Sequence, residues 1–224
     1  MCGRFAFFSP VEAIAQTFGV AAPEWFEPRY NIAPTQNVVA LLAGADDAPE
    51  WRSLRWGLVP FWAKDPAIGN RMINARAETI TEKPSYRQPF KRRRCLIAAD
   101  GFYEWKKTAA GKIPWYISLQ SGAPLVFAAI WDSWEKGEGD ALQSCSIITA
   151  PANQFMAELH HRMPVIIGRD TMSDWLAPDA DSARLAARLM LPSRVRLQAW
   201  PVSRAVNSPL NDEPALAEPC KDEI

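Results

Sequence analysis

The chain has 224 residues, with 25 lysines and arginines balanced by 25 aspartates and glutamates, so it carries no net charge at neutral pH. This balance excludes a partner selected by overall charge, and only local clusters of charge can indicate binding. The length suits one large domain or two small ones. Ten tryptophans are many; most tryptophans pack in cores, but their flat rings also stack on nucleic-acid bases.

The cysteines are far apart and form no Cys-x-x-Cys motif. They are Cys2, Cys95, Cys145 and Cys220. Such spacing favours reduced thiols in a cytoplasmic protein over a disulfide framework or a zinc site. The N-terminus has no signal segment, and no apolar run approaches the ~20 residues of a membrane span. We therefore predict a cytoplasmic bacterial protein, nucleoid-associated, with no cofactor, no metal and no membrane contact.

The N-terminus places Cys2 directly after the initiator methionine. Removal of Met1 would leave Cys2 with an α-amine and a thiol, whose ordinary pKa values are about 8 and about 8.5. Such a residue can condense with an aldehyde and close a thiazolidine ring, or act as a nucleophile with its own amine as base. The alternative is an inert cysteine buried near the start of a strand.

The first third of the chain predicts strands and one short helix. Residues 5–8 form a strand, and Ser9-Pro10-Val11-Glu12 has the pattern of a helix N-terminus, with Gly19 as the stop signal. Residues 29–34 are extended, because the residue before a proline disfavours the helical region. Residues 38–42 and 51–56 are further strands.

Residues 73–78 alternate small apolar with polar side chains. If this segment is extended, Asn74, Arg76 and Glu78 share one face. An amide, a cation and an acid in one row are costly to bury and suited to lining a pocket. A solvated strand face is the alternative.

The middle of the chain combines a basic run with a candidate hairpin. A helix is predicted over residues 81–90, followed by four cations at residues 91–94. That run is typical of a solvated surface, and it could also bind a phosphate backbone. Residues 95–99 predict a strand, and Asp100-Gly101 predicts a hairpin turn to a partner strand over 102–105. There Glu104 lies between aromatic neighbours, which suits acid–base chemistry; an exposed glutamate is the alternative.

The second half continues the pattern of strands with short helices. Strands are predicted over 116–119, 125–131, 145–149 and 197–202, and helices over 150–159, 170–176 and 182–191. His160 and His161, the only histidines, follow the first of these helices. A histidine at a helix end, beside arginine and proline, is a candidate for proton transfer. Metal binding is disfavoured, because adjacent side chains point apart and no third ligand lies at a suitable spacing.

The sequence predicts one α+β domain over residues 1–208. Its core is a mixed, mainly antiparallel β-barrel or sandwich flanked by short helices. From residue 209 onwards the chain is acidic and contains several prolines. We predict that residues 209–224 form a flexible tail.

Seven short blocks occur in order between residue 2 and about residue 207. They are Cys2-Gly3-Arg4-Phe5, Arg29-Tyr30-Asn31-Ile32-Ala33-Pro34, Trp56-Gly57-Leu58-Val59-Pro60, Asn74-Ala75-Arg76-Ala77-Glu78-Thr79, Gly101-Phe102-Tyr103-Glu104-Trp105, His160-His161-Arg162-Met163-Pro164 and Pro201-Val202-Ser203-Arg204-Ala205-Val206. Each block is weak alone, but the ordered set resembles the SOS-response-associated peptidase (SRAP) family.

This resemblance implies a protein that senses abasic sites in single-stranded DNA and links itself to them through Cys2, after removal of Met1. It implies that Asn74 orients the Cys2 amine, that Glu104 is the acid–base catalyst, and that His160 assists proton transfer. We expect a monomer, and the partner that the resemblance implies is single-stranded DNA. The residues expected to hold its phosphates and flanking bases are Arg4, Arg76, Arg162, Trp62 and Trp105.

Two other functions remain open from the residues. In one, Cys2 is the nucleophile of a peptidase or amidase, with Asn74 in an oxyanion role and Glu104 or His160 as base. The only bond cleaved could then be the one that follows Met1. In the other, the chain is a passive single-strand binding module that uses its arginines and tryptophans.

Overall fold

The computed structural model describes residues 2–44, 48–109, 111–136, 139–191 and 195–220. The strands of this described part are β1 (Phe5–Phe7), β2 (Arg29–Ile32), β3 (Asn37–Ala43), β4 (Pro49–Trp56), β5 (Asn74–Arg76), β6 (Arg94–Ala99), β7 (Gly101–Thr108), β8 (Gly111–Leu119), β9 (Leu125–Trp134), β10 (Leu142–Pro151), β11 (Arg162–Pro164) and β12 (Leu197–Pro201). The α-helices are α1 (Val11–Phe18), α2 (Arg87–Arg92), α3 (Gln154–Ala157), α4 (Met172–Leu176) and α5 (Ser182–Leu189). None of these helices is long and apolar enough to cross a membrane.

Five strands close into a barrel. Strand β3 pairs antiparallel with β4 and β6, β6 pairs with β9, and β9 pairs with β10. A short parallel pairing between β10 and β4 completes the ring. Every residue of β6 is buried, as expected for a strand that lines the barrel on one face and is covered on the other. The far end of β10 pairs with β5 and β11 instead, which places these two strands beside the barrel.

A second sheet, in the order β12-β8-β7-β1-β2, packs one face on the barrel. Phe5 and Phe102 of this sheet both meet Phe127 of the barrel edge to face, with ring centroids 6.1 and 6.0 Å apart. Its opposite face covers a smaller core around Tyr103 and Tyr116. The predicted single α+β domain with a mainly antiparallel barrel is therefore confirmed.

The predicted hairpin at Asp100-Gly101 is wrong. Strands β6 and β7 flank this turn but belong to different sheets. The Asp100 N–H donates to the Ala6 carbonyl over 2.7 Å, and the Asp100 carboxylate accepts the backbone N–H of Ser9 over 2.7 Å. These bonds attach the turn to the segment around β1, so the chain passes from the barrel into the second sheet. Gly101 is required here, because a Cβ would lie 2.3 Å from the Tyr116 ring.

Two predicted helices are shorter than expected. Pairing with β11 keeps residues 149–151 in β10, and α3 begins only after Asn153, whose side chain accepts the Met156 N–H over 2.9 Å. The helix predicted over 81–90 is α2, which begins at Arg87. Pro84 explains the delay, since proline in a helix interior removes a hydrogen bond and clashes with the preceding turn.

The predicted run of four surface cations is split by the fold. The Arg94 guanidinium is buried and donates to backbone carbonyls at the ends of α2 and α4. The neighbouring Arg93 forms an ion pair with the buried Asp132 at 2.9 Å. Only Lys91 and Arg92 of the run are exposed.

Residues 209–220 do not form the flexible tail that their composition predicts. The Asp212 carboxylate accepts the backbone N–H groups of Tyr30 and Asn31 and pairs with Arg29. Leu216 is 1% exposed and completes the smaller core. Composition detects that apolar residues are few, but it does not detect that these few have partners on β2 and β12. Residues 221–224 lie outside the described part of the chain.

Candidate active site

Cys2 and Glu104 come together because β1 and β7 are neighbours. Phe5 lies opposite Phe102 in this pairing, and the backbone N–H of Tyr103 donates to the Arg4 carbonyl over 2.9 Å. Cys2 therefore lies next to the part of β7 that carries Glu104. The two groups are close enough for the Glu104 carboxylate to contribute to the raised pKa of the Cys2 thiol.

Asn74 fixes the backbone of Cys2. Strand β5 adds in parallel to the far end of β10, with Asn74 opposite Ile147. From there the Asn74 Nδ2 donates to the Cys2 carbonyl over 2.8 Å. The Asn74 Oδ1 is buried and accepts no hydrogen bond from the described residues. Among the residues described, this amide oxygen beside residue 2 is thus left without a donor.

The Cys2 thiol is shielded in the chain that still carries Met1. The residue is buried, and its Sγ donates a long hydrogen bond of 3.9 Å to the Arg4 carbonyl. Burial, helped by the Glu104 carboxylate, raises the pKa of the thiol above its ordinary value. The thiol is therefore protonated at neutral pH and is a weak nucleophile in this state.

Glu104 and His160 lie beside each other in the site. Glu104 is buried, and this burial raises the pKa of its carboxyl group. His160 follows α3 and places its Nδ1 4.0 Å from Glu104 Oε1. The same Nδ1 lies 3.1 Å from the Arg162 backbone nitrogen and 3.2 Å from the Arg162 carbonyl oxygen, so the backbone of Arg162 holds the ring in place. Burial lowers the pKa of His160 as well. Both shifts favour the neutral forms of the two side chains.

Two of the arginines predicted to hold phosphates are occupied by protein groups. The Arg4 Nη1 donates to Asn31 Oδ1 at 2.6 Å and to the Val206 carbonyl at 2.7 Å. Arg162 is buried, pairs with Glu78, and donates to the Thr149 carbonyl over 2.7 Å. These bonds occupy some of the donors of each guanidinium group, and the predicted phosphate contacts of Arg4 and Arg162 stay predictions.

Arg76, in contrast, is exposed at the end of β5. It is two residues from Asn74, so a phosphate bound there would lie near the reactive group. Its predicted role as a phosphate contact stays a prediction that its position allows. The predicted row of Asn74, Arg76 and Glu78 on one strand face holds only in part. A 3-10 turn (Ala77–Thr79) ends the strand before Glu78.

The predicted aromatic contacts differ in exposure. Trp62 is 41% exposed on a loop that hydrogen bonds hold at Phe61 N–H and at the Trp62 carbonyl. Trp105 is partly buried, and its Nε1 donates to Asn207 Oδ1 over 2.7 Å. The neighbouring Phe61, which is not among the contacts predicted from the sequence, is even more exposed than Trp62.

Among the residues described, the site brings together a thiol, a carboxyl group, an imidazole and an amide. No group of three histidine, cysteine, aspartate or glutamate residues lies close enough there to hold a metal ion.

Comparisons with known proteins agree with the sequence blocks. A family profile described as SOS response associated peptidase (SRAP) matches residues 1–209. The Bacillus subtilis protein named abasic site processing protein YoaM is 44% identical over 225 residues, which cover 97% of this chain and 98% of that protein. The Escherichia coli abasic site processing protein YedK is 31% identical, with 98% and 100% covered. A crystal structure of a Bacteroides thetaiotaomicron protein has a TM-score of 0.86 at 26% identity, with 98% and 100% covered.

Proposed function

The chain belongs to the SOS response associated peptidase (SRAP) family, and we propose that it recognises abasic sites in single-stranded DNA and links itself to them through Cys2. The observation that carries this proposal is the meeting of Cys2, Glu104 and Asn74 at one point, from three separate strands or strand ends. Two relatives, YoaM and YedK, are named as abasic site processing proteins.

Removal of Met1 prepares the reactive residue. It creates an α-amine at Cys2, beside the buried Asn74 Oδ1 that has no donor from the described residues. We expect this oxygen to accept a hydrogen bond from the new amine while Nδ2 keeps its bond to the Cys2 carbonyl. Asn74 would then fix both ends of the Cys2 backbone and aim the amine at the substrate.

Glu104 supplies the proton transfers of the first step. An abasic deoxyribose is mostly a closed hemiacetal, so its ring must open before the C1′ aldehyde can react. A carboxyl group with a raised pKa can protonate the ring oxygen and later protonate the departing hydroxyl. The neutral Cys2 amine attacks C1′, water leaves, and a C=N bond forms. His160, 4.0 Å away, can receive or return the proton.

The Cys2 thiol completes the link. Sγ adds to C1′ of the imine while its proton moves to the nitrogen, giving a five-membered thiazolidine with no further loss of atoms. The two groups belong to one residue, so the effective molarity can reach roughly 10⁵ M or more. Ring closure removes the imine that would otherwise promote β-elimination. The damaged strand is thereby shielded from cleavage.

The DNA contacts we propose are weakly dependent on sequence. Exposed Arg76 would bind a phosphate, and exposed Trp62 and partly buried Trp105 would stack on flanking bases. Phosphate contacts and stacking hold single strands without reading base edges.

The other two functions are less well supported. A cysteine peptidase would need a peptide substrate, whereas the relatives YoaM and YedK are named for abasic sites. A passive binding module does not need a buried glutamate beside the N-terminal cysteine. Lyase-type imine chemistry and self-removal of Met1 both remain compatible with the proposed site.

Intact mass under denaturing conditions tests the proposal. The mature protein is mixed with single-stranded DNA carrying one abasic site. We expect a species at the mass of protein plus oligonucleotide minus one water, absent with undamaged DNA and with Cys2→Ala. Unlinked protein that has lost Met1 would overturn the proposal and direct attention to peptide substrates.

A further inference from the structure

The sheet face that carries Glu104 continues into a groove of about 450 Å³. One wall is the second sheet, and the other wall is α3 with the residues that follow it. The sheet contributes Lys106, Trp115 and Ala199, and the α3 side contributes Gln154, Phe155 and Leu159.

The groove adjoins the reactive pair. Trp115 lies directly opposite Glu104 in the antiparallel pairing of β7 and β8. Residues opposite one another in this way share a face of the sheet, with Cβ atoms roughly 5 Å apart. On the other wall, Leu159 immediately precedes His160. A molecule in the groove is therefore next to the atoms that would bind the abasic sugar.

The groove has the chemistry of a nucleotide site. Phe155 is 42% exposed, so it adds little to the core of the protein. Trp115 is partly buried, and the Lys106 Nζ lies 5.4 Å from the centre of its ring. Aromatic rings beside a cation are the usual features of single-strand binding surfaces, where bases stack and the cation attracts phosphate.

We propose that this groove binds the nucleotide adjacent to the abasic residue, with its base stacked on Phe155 and Trp115. Its phosphate lies on the Lys106 side, because the Glu158 carboxylate on the other wall would repel it. This inference rests on the proposed function, since it places the occupant on the same DNA strand. It assigns this flanking base to α3 and β8, beside Glu104 and His160.

The test uses an oligonucleotide with a tetrahydrofuran in place of the abasic sugar. This analogue has no aldehyde, so binding to the mature protein does not depend on the covalent link. A 2-aminopurine replaces the base on the 5′ side or the 3′ side of the analogue. We expect quenching of its fluorescence at one of the two positions when the protein binds, because stacking on an aromatic ring quenches this base.

Phe155→Ala should abolish that quenching and weaken binding about fivefold, the lower range for loss of a stacking aromatic. Lys106→Gln should lower the slope of log affinity against log salt concentration by about one. This second variant keeps the test decisive if circular dichroism shows that Phe155→Ala is unfolded. Trp25→Ala is the matched control, since Trp25 is exposed to a similar degree and lies outside the groove.

Equal quenching and equal affinity in the wild type, Phe155→Ala and Lys106→Gln would overturn the groove assignment, as would the absence of quenching in the wild type. Failure of the proposed function has a different signature. In that case the wild type forms no covalent species with a natural abasic site, whatever the fluorescence of the tetrahydrofuran complex.

Discussion

The Asn74 side-chain amide donates a hydrogen bond to the backbone carbonyl of Cys2 over 2.8 Å, across 72 positions of sequence. Asn74 is held by β10 of the barrel, whereas Cys2 precedes the first strand of the second sheet. The bond therefore fixes the position of the N-terminus relative to the barrel. If residue 2 is the reactive group, its position depends on this contact.

Loss of the Asn74 amide should slow the link more than it weakens the fold. We expect Asn74→Ala to reduce the rate of covalent linking by about 10- to 100-fold, because small misplacement of reacting groups is costly. The stability loss should be about 1 kcal/mol, the usual value of one hydrogen bond. Timed denaturing gels with abasic DNA give the rate, and urea unfolding gives the stability. Exposed Asn37→Ala serves as the control; equal rates in both variants would contradict a positioning role for Asn74.

Glu104→Gln should slow linking by about 100-fold, within the range for loss of a general acid or base. DNA affinity should be nearly unchanged. In the wild type the protonated carboxyl acts as the acid, so this contribution is present below its raised pKa and is lost as pH rises through that value. The variant should lack that limb of the pH–rate profile. Glu135→Gln, on the exposed surface, should behave as the wild type; an unaltered profile in Glu104→Gln would remove the acid–base role.

The same residue predicts a change in stability with pH. Because the folded-state pKa of Glu104 is raised, the folded chain binds more protons than the unfolded chain between the ordinary pKa of about 4.3 and the raised value. This carboxyl group thus lowers the free energy of unfolding as pH rises through that window. Glu104→Gln should therefore gain stability relative to the wild type as pH increases from 4 to 7. Thermal unfolding across this range measures the stability of both proteins. A difference in stability that does not change with pH would argue against the raised pKa.

Arg162 and Arg76 should separate a structural from a DNA-binding arginine. Arg162→Met leaves Glu78 without its ion-pair partner, and we expect a stability loss of about 1–2 kcal/mol, since Glu78 is partly exposed. Arg76→Ala should leave stability within about 0.5 kcal/mol of the wild type, as is usual at the surface. It should instead lower DNA affinity and reduce the salt slope by about one. Binding isotherms at several salt concentrations test both variants. Loss of DNA affinity and of salt slope in Arg162→Met but not in Arg76→Ala would identify Arg162 as the phosphate contact instead.

The C-terminal residues should contribute to stability. Leu216 is buried between the second sheet and the chain end, so Leu216→Ala should cost about 2–3 kcal/mol. Leu210 is 91% exposed, and Leu210→Ala should change stability by less than about 0.5 kcal/mol. Urea unfolding of the two variants compares one residue type in two environments. Equal midpoints would mean that residues after 208 behave as the tail predicted from composition.

The sequence by itself was informative where the signal is local. Alternating and apolar runs predicted strands close to β1, β3 and β4, because side-chain direction in a strand repeats every two residues. The seven ordered blocks predicted the family, which the profile match confirms. The position of Cys2 after Met1 indicated its chemistry, because an amine and a thiol on one residue need no fold to be neighbours.

The tertiary structure decided where each polar group finds its partner. Arg4 and Arg162 are as cationic in sequence as Arg76, yet Arg76 is exposed, Arg4 is half-buried and Arg162 is buried, because the last two meet a carbonyl or a carboxylate from distant segments. The turn at Asp100 likewise has hairpin residues but bonds to the segment around β1. Hydrogen-bond partners separated by tens to hundreds of residues are set by packing, and no local pattern encodes them. The groove beside Glu104 has the same origin, since β7, β8, β12 and α3 form it only when the sheet is assembled.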